Sequence, residues 1–217
     1  VSISPPRALA TSSLDVAQDL ETLLAAQGDE TGEASLALIG TPHRLSLAGA
    51  QDKIAVVLVA DGSIRLPATG EITTHILKPD TRQTRYAPSA INEYACMLLA
   101  KALKLPVPKV WLLRVPEAAY VVERYDRVMT AGNIVGLHQI DGCQLLGHGP
   151  GWKYERSGGL VSLPKLVKAL RALSVRGRDL LELQRWVMFN YLIGNADAHA
   201  KNLSVLIDDK GYRLAPF

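Results

Sequence analysis

Apolar residues fall in short β-branched runs between residues 54 and 123 and at helical intervals over much of the stretch from 127 to 193. The first forty or so residues are rich in Ala, Ser and Pro. They carry one helical pattern, Leu14 to Ala26, with Leu20, Leu23 and Leu24 in phase and Gly28 and Gly32 to end it. From Leu45 the texture changes. The turn SLAGAQDK (46–53) leads into IAVVLVA (54–60), Asp61-Gly62 breaks the run, and Ile64 to Leu66 returns as the second arm of a hairpin. THILKP (74–79) predicts a third strand that presents Lys78 just before Pro79. Ile91, Tyr94, Ala95, Leu98 and Ala102 predict a helix over 88–105, with Ser89 as N-cap and Pro106 as stop. VPKVWLLRV (107–115) and AAYVVERYD (118–126) predict two more strands.

After Asp126 the pattern predicts a mostly helical half. A short helix is expected near LHQIDGCQLLG, a second from Ser162 to Leu173 and a third from Asp179 to Ile193, with Ser162 and Asp179 as N-caps and Gly194 as the stop. Loop, strand, turn and strand then run through GNADAHAKN, LSVLID, DDKG and YRLAPF. The fold class is α+β in two lobes: an antiparallel sheet with one helix, then a mainly helical part. The division expected is 1–42 as a partial N-terminal subdomain or extension, 43–126 as the first lobe and 127–217 as the second.

A length of 217 residues suits one large domain or two modest lobes. With 48% hydrophobic and 21% charged residues, collagen-like, low-complexity and wholly disordered classes are excluded. No uncharged apolar run approaches the roughly 20 residues of a spanning helix, and VSISPPRALA lacks the blocks of a signal peptide, so no membrane is expected. Cys96 and Cys143 both lie in apolar surroundings, which suits structural thiols in a reducing cytoplasm. The net charge of +3 is spread along the chain and points only weakly to direct nucleic-acid contact.

Chemistry concentrates in GNADAHAKN (194–202), where Asn195, Asp197, His199, Lys201 and Asn202 stand between an apolar helix and an apolar strand. An Asp that accepts a hydroxyl proton and an Asn that binds Mg²⁺ suit phosphoryl transfer. The alternatives are a solvated turn with a capping Asp, or His199 and Asp197 as metal ligands, although two ligands do not make a zinc site. SLAGAQDK matches no complete phosphate-loop pattern, yet Gly49 between Ala48 and Ala50 allows amides to approach an anion, with Lys53 opening the next strand. The plain alternative is a hairpin-like loop with solvated Gln51 and Asp52. The order along the chain unites these features: small-residue loop, strand pair, strand Lys78, helix Glu93, the ERYD strand end, a helical half, then Asp197 and Asn202 five apart, as in a protein kinase. Glu93 is a candidate partner for Lys78. Gln139 and Asp141, in an expected helix, could touch nucleotide or substrate, or simply begin that helix. Trp186, Phe189 and Tyr191 are expected in the core.

SLAGAQDK, THILKP, NEYACMLLAKALKLPVPKV, VVERYDR, LHQIDGCQLLG, KYE with GG, and NYLIGNADAHAKN together resemble the HipA-like kinases, the toxin components of bacterial HipBA-type toxin–antitoxin pairs. The resemblance covers about residues 40–217. It implies a cytoplasmic serine/threonine protein kinase of two-lobed fold that uses ATP and Mg²⁺. Carried onto matching positions, Ala48, Gly49, Ala50, Gln51, Asp52 and Lys53 form the phosphate loop, Lys78 is the ATP lysine, and Glu123, Arg124 and Tyr125 lie beside adenine. Asp197 is the catalytic base, and His199, Lys201 and Asn202 stand in the nucleotide and metal shell, with Asn202 the metal ligand. Ser46 matches an inactivating autophosphorylation site. A metal-binding Asp is expected after YRLAPF, beyond Phe217, so the sequence is expected to be a fragment. The resemblance further implies a HipB-like DNA-binding antitoxin, contact with DNA mainly through it, and a protein substrate such as an aminoacyl-tRNA synthetase, whose phosphorylation causes growth arrest or persistence. Two other functions stay open: a small-molecule phosphotransferase, and a non-catalytic co-repressor subunit of a DNA-binding complex.

Overall fold

A computed structural model describes residues 53–59, 62–80, 88–114, 118–156 and 158–217. The helix expected over Leu14 to Ala26, and Ser46, Ala48, Gly49, Ala50, Gln51 and Asp52 of the proposed loop, lie outside the described residues. The chain divides into two compact units. One holds the described residues up to Tyr94 together with Lys109–Arg124, and the other Ala95–Pro108 with Tyr125–Phe217.

The first unit is built on an antiparallel sheet of β1 (Ile54–Leu58), β2 (Ile64–Arg65), β3 (His75–Pro79), β4 (Val110–Leu113) and β5 (Ala119–Glu123), in the order β2-β1-β3-β5-β4. All five agree with the apolar runs, and Gly62, at φ 88°, supplies the left-handed residue of the first turn. Pleating sorts the sheet into two faces. Val56, Leu77, Ala119 and Val121 gather on one, with Ile54, Leu58, Trp111 and Leu113 packed around them. The other face carries Lys78 opposite Tyr120, its partner in register.

Helix α1 (Ser89–Ala102) follows the predicted pattern, but its start differs from expectation. Ser89 is the first helical residue rather than a self-sufficient cap. Its N–H and hydroxyl donate to Asp80 Oδ1 at 2.6 Å and 2.7 Å, and the Ala90 N–H donates to the same oxygen at 3.2 Å. A carboxylate just after β3 thus neutralises the orphan donors of the first turn. The helix ends through Lys104, which adopts φ 58°, two residues before Pro106.

The second unit holds more strand than its mostly helical expectation. β6 (Arg127–Thr130) and β7 (Asn133–Gly136) form a hairpin around Ala131-Gly132, both at positive φ. The sequence around LHQIDGCQLLG is a strand first, β8 (His138–Asp141), and only then the one-turn helix α2 (Gly142–Leu145). Gln139 therefore lies in a strand, and Asp141 caps α2. Its Oδ1 accepts from the Cys143 and Gln144 N–H groups while Gln144 Oε1 accepts from the Asp141 N–H, a capping box. Helices α3 (Leu163–Ala172) and α4 (Gly177–Leu192) come next. Ser162 precedes α3 without a side-chain cap bond. Asp179 lies within α4 rather than capping it, because its carboxylate serves Arg176 and the Leu214 N–H. Gly194, at φ 67°, ends α4 as expected.

Strands β9 (Ser204–Asp208) and β10 (Gly211–Leu214) complete a three-stranded sheet in the order β10-β9-β8. Their core contains Cys143, Val161, Leu166, Leu170, Leu183, Leu203 and Val205. Cys143 is thus a buried free thiol, and burial pushes its pKa up, as suits a structural role. Trp186 packs against this core and stacks on Phe217. Tyr191 does not join it, being 85% exposed. Among the described residues no helix is long and apolar enough to cross a membrane.

Candidate active site

In the first unit, β3 aims Lys78 away from the apolar core. Its ammonium meets Glu93 Oε1 of α1 at 2.5 Å and stands 5.4 Å from the centre of the Tyr120 ring. Lys53, immediately before β1, lies in the same electrostatic neighbourhood. Burial lowers its pKa, the Lys78 charge lowers it further, and Glu93 opposes both. Two lysines thus share one glutamate. Burial, with the Glu93 charge, also raises the Tyr120 phenol above its ordinary value, so Tyr120 stays neutral.

Glu123 pairs in register with His75, three residues before Lys78, so its side chain emerges on the opposite face of the sheet. There it meets Lys109 at 3.5 Å. Arg124 turns back onto the same unit, its N–H donating to the Thr74 carbonyl at 2.9 Å and its guanidinium to Thr73 Oγ1 at 3.1 Å. Tyr125 belongs to the second unit, where it is half-buried.

The register of the second sheet assembles the other candidates. Asp141 lies opposite Ser204, so the end of β8 meets the loop that enters β9. Asp141 Oδ2 takes the Lys201 ammonium at 2.5 Å, while Oδ1 is engaged by α2. Gly142 permits this approach, since a Cβ there would stand 2.6 Å from the Ala200 carbonyl oxygen and 2.9 Å from Leu166 Cδ2.

A directed chain of amides holds the loop itself. Asn190, buried in α4, donates to the Trp186 carbonyl at 2.9 Å and accepts from Asn195 Nδ2 at 2.6 Å. Asn195 Oδ1 in turn accepts the Asp197 N–H at 3.1 Å. On the far side Asn202 Nδ2 donates to the Asp197 carbonyl at 3.0 Å, which leaves the amide oxygen of Asn202 for a cation. The Asp197 side chain is 74% exposed, and its Oδ1 accepts from the Tyr154 hydroxyl at 2.5 Å. His199 Nε2 lies 3.8 Å from the same oxygen. Burial lowers the His199 pKa, the Lys153 charge adds to the effect, and Asp197 opposes them. Its Nδ1 is buried and, among the described residues, has no hydrogen-bond partner. Beside the loop opens a cavity of about 300 Å³ lined by Trp186, Val187, Asn190, His199 and Leu203 among others. Among the described residues no group of three His, Cys, Asp or Glu side chains could hold a metal.

The structure therefore gathers Asp197, His199 and Asn202 in one loop, ties Lys201 to Asp141, and joins Lys78 to Glu93. Sequence reasoning assigned no role to Tyr154 and did not see Asp141 as the partner of Lys201. The Asp141-x-x-Gln144 spacing was a legible capping signal. The meeting of Tyr154 with Asp197, 43 residues apart, had no local signature.

A family model described as HipA-like C-terminal domain matches residues 45–217. The chain belongs to this family. Among curated relatives it is 44% identical over 180 residues to the Sinorhizobium fredii protein named "Putative kinase Y4mE", covering 80% of this chain and 41% of that protein. It is 34% identical over 188 residues to the "Serine/threonine-protein kinase toxin HipA" of Shewanella oneidensis, covering 80% of this chain and 42% of that one. Among solved structures, the Shewanella oneidensis toxin–antitoxin complex of HipA, HipB and operator DNA matches with a TM-score of 0.66 and 26% identity, over 98% of this chain and 52% of that one. The chain thus spans about two fifths to one half of the length of these proteins. The resemblance drawn from the motifs and the α+β, two-lobed kinase-like fold are both borne out.

Proposed function

We propose that this HipA-like chain is the catalytic part of a serine/threonine protein kinase. The observation that carries the reading is the bond from Asn202 Nδ2 to the Asp197 main-chain carbonyl, which ties the residue bearing the carboxylate to the amide of Asn202 on one short loop. These are the groups phosphoryl transfer requires for the hydroxyl proton and for a hard cation. Bound as its magnesium complex, ATP would supply the γ-phosphoryl group to the hydroxyl oxygen, with ADP as the leaving group.

In this reading Asp197 takes the hydroxyl proton, and Asn202 presents its carbonyl oxygen to the metal. His199 and Lys201 complete the nucleotide shell, with Lys201 steadied by Asp141. Lys78, oriented by Glu93, and Lys53 hold phosphate oxygens together with the loop of Ala48, Gly49, Ala50, Gln51 and Asp52. Glu123, Arg124 and Tyr125 form the strand end beside adenine, and residues 43–126 and 127–217 are the working lobes. A phosphate on Ser46 adds about two negative charges next to the phosphate loop and switches the kinase off. The protein substrate is a translation component such as an aminoacyl-tRNA synthetase. The partner is a HipB-like antitoxin that carries the contact with DNA, as the HipA–HipB–operator composition of the matched structure supports. The compartment is the bacterial cytoplasm.

The test is intact mass and phosphopeptide mapping of the full-length protein after incubation with Mg-ATP, beside Asp197→Asn. Phosphate on Ser46 in the parent and none in the variant is expected. No phosphate in either overturns the kinase reading and leaves the co-repressor role, in which operator binding with the antitoxin survives Asp197→Ala.

A further inference from the structure

The main chain of Asp197 is anchored on both sides, but its carboxylate projects largely into solvent. Among the described residues the carboxylate takes one hydrogen bond, to Oδ1 from the Tyr154 hydroxyl at 2.5 Å. The His199 nitrogen, at 3.8 Å, is too far to hold it. Tyr154 is itself fixed. Its ring meets His199 edge-on at 5.3 Å, and the Lys153 ammonium and Arg156 guanidinium each lie 4.9 Å from the ring centre. The neighbouring main chain is tied to the loop as well, because the Lys153 carbonyl accepts the Ala200 N–H at 3.1 Å.

We propose that Tyr154 is a positioning residue for phosphoryl transfer: its hydroxyl occupies Oδ1 of Asp197 and so presents Oδ2 to the incoming substrate hydroxyl. The role rests on the kinase reading of this site. An exposed carboxylate samples several rotamers, and a base that must meet a hydroxyl within about 3 Å loses rate when it wanders. A lysine could fix the carboxylate, but its positive charge would also offset the negative charge that makes it a base. A phenol fixes it and stays neutral. The hydrogen bond to Asp197 accordingly raises the Tyr154 pKa, so the hydroxyl keeps its proton.

The test uses the full-length protein and follows self-phosphorylation from labelled Mg-ATP in the parent and in Tyr154→Phe, which keeps the ring and removes the hydroxyl. The maximal rate is expected to fall about tenfold, the loss of one charge-assisted hydrogen bond, while KM for ATP stays within about twofold. An unchanged or faster rate overturns the proposal, the second because it would show the phenol to be a plug that substrate must displace. An independent measurement tracks phenolate absorbance against pH. The parent trace minus that of Tyr154→Phe isolates one tyrosine, and Asp197→Asn should shift its titration to lower pH. A parent that transfers no phosphate sinks the kinase reading and this role with it. An active parent in which Asp197→Asn leaves the titration unmoved sinks the role of Tyr154 alone.

Discussion

Two lysines each meet a carboxylate oxygen at 2.5 Å, Lys78 with Glu93 in the first unit and Lys201 with Asp141 in the second. The pairs are alike in chemistry and distance and differ in everything around them. Asp141 is saturated: one oxygen accepts two α2 N–H groups and the other takes Lys201. That pair is a joint, binding the loop that enters β9 to the end of β8. Glu93 instead shares its charge with two lysines, since Lys53 feels both Lys78 and Glu93. The first pair stands beside a second lysine, whereas the carboxylate of the second pair has both oxygens occupied. A short ion-pair distance therefore says little about role until the remaining lone pairs and neighbouring charges are traced.

The contrast can be broken at either pair. On the proposed reading, in which the Lys78 charge acts on phosphate rather than on the fold, Lys78→Met should lower phosphoryl transfer by the full-length protein about a hundredfold, with the unfolding midpoint hardly moved. Transfer at the parent rate would reduce the first pair to an ordinary ion pair. Asp141→Ala should cost about 3 kcal/mol in denaturant unfolding, since it strips the α2 cap and strands the Lys201 ammonium. A cost below about 1 kcal/mol would show that Asp141 is not a joint. Gly142→Ala sharpens the same point at smaller scale. It should cost about 2 kcal/mol, because the new methyl must push back the Ala200 carbonyl or Leu166, and the loop carrying Lys201 with it. Crystals of that variant should show residues 199–202 displaced.

Most of the first unit was legible because its strands are apolar, β-branched and bounded by Gly or Pro, and because pleating turns such runs directly into two faces. The β6–β7 hairpin was not. Met129 is 69% exposed and Val135 42%, so neither strand alternates in the way a half-buried strand does, and the Ala131-Gly132 turn was the only strong mark. The cap of α1 was misread for another reason. Ser89 has the right chemistry, but a carboxylate arriving from β3 satisfies the donors first. Tyr191 looked like core by composition, yet α4 turns it outward. At the candidate site, residues within one loop could be grouped by spacing alone, whereas Asp141–Lys201 and Tyr154–Asp197 are separated by 60 and 43 residues and depend on sheet register and packing.

The amides leading from α4 to Asp197 behave like a strand of ice with its disorder removed. In ice each molecule may point its protons several ways, provided its neighbours comply. Here the line begins at a main-chain N–H, which cannot turn round, and ends at a main-chain carbonyl, which cannot donate. Asn195 and Asn190 between them are left with one permitted orientation each. Exchanging oxygen for nitrogen in either one sets like against like at both of its ends. Even Asn→Asp, nearly the same shape, would place two acceptors face to face, so the slow hydrolysis of an ageing amide would unfasten the loop as surely as a mutation.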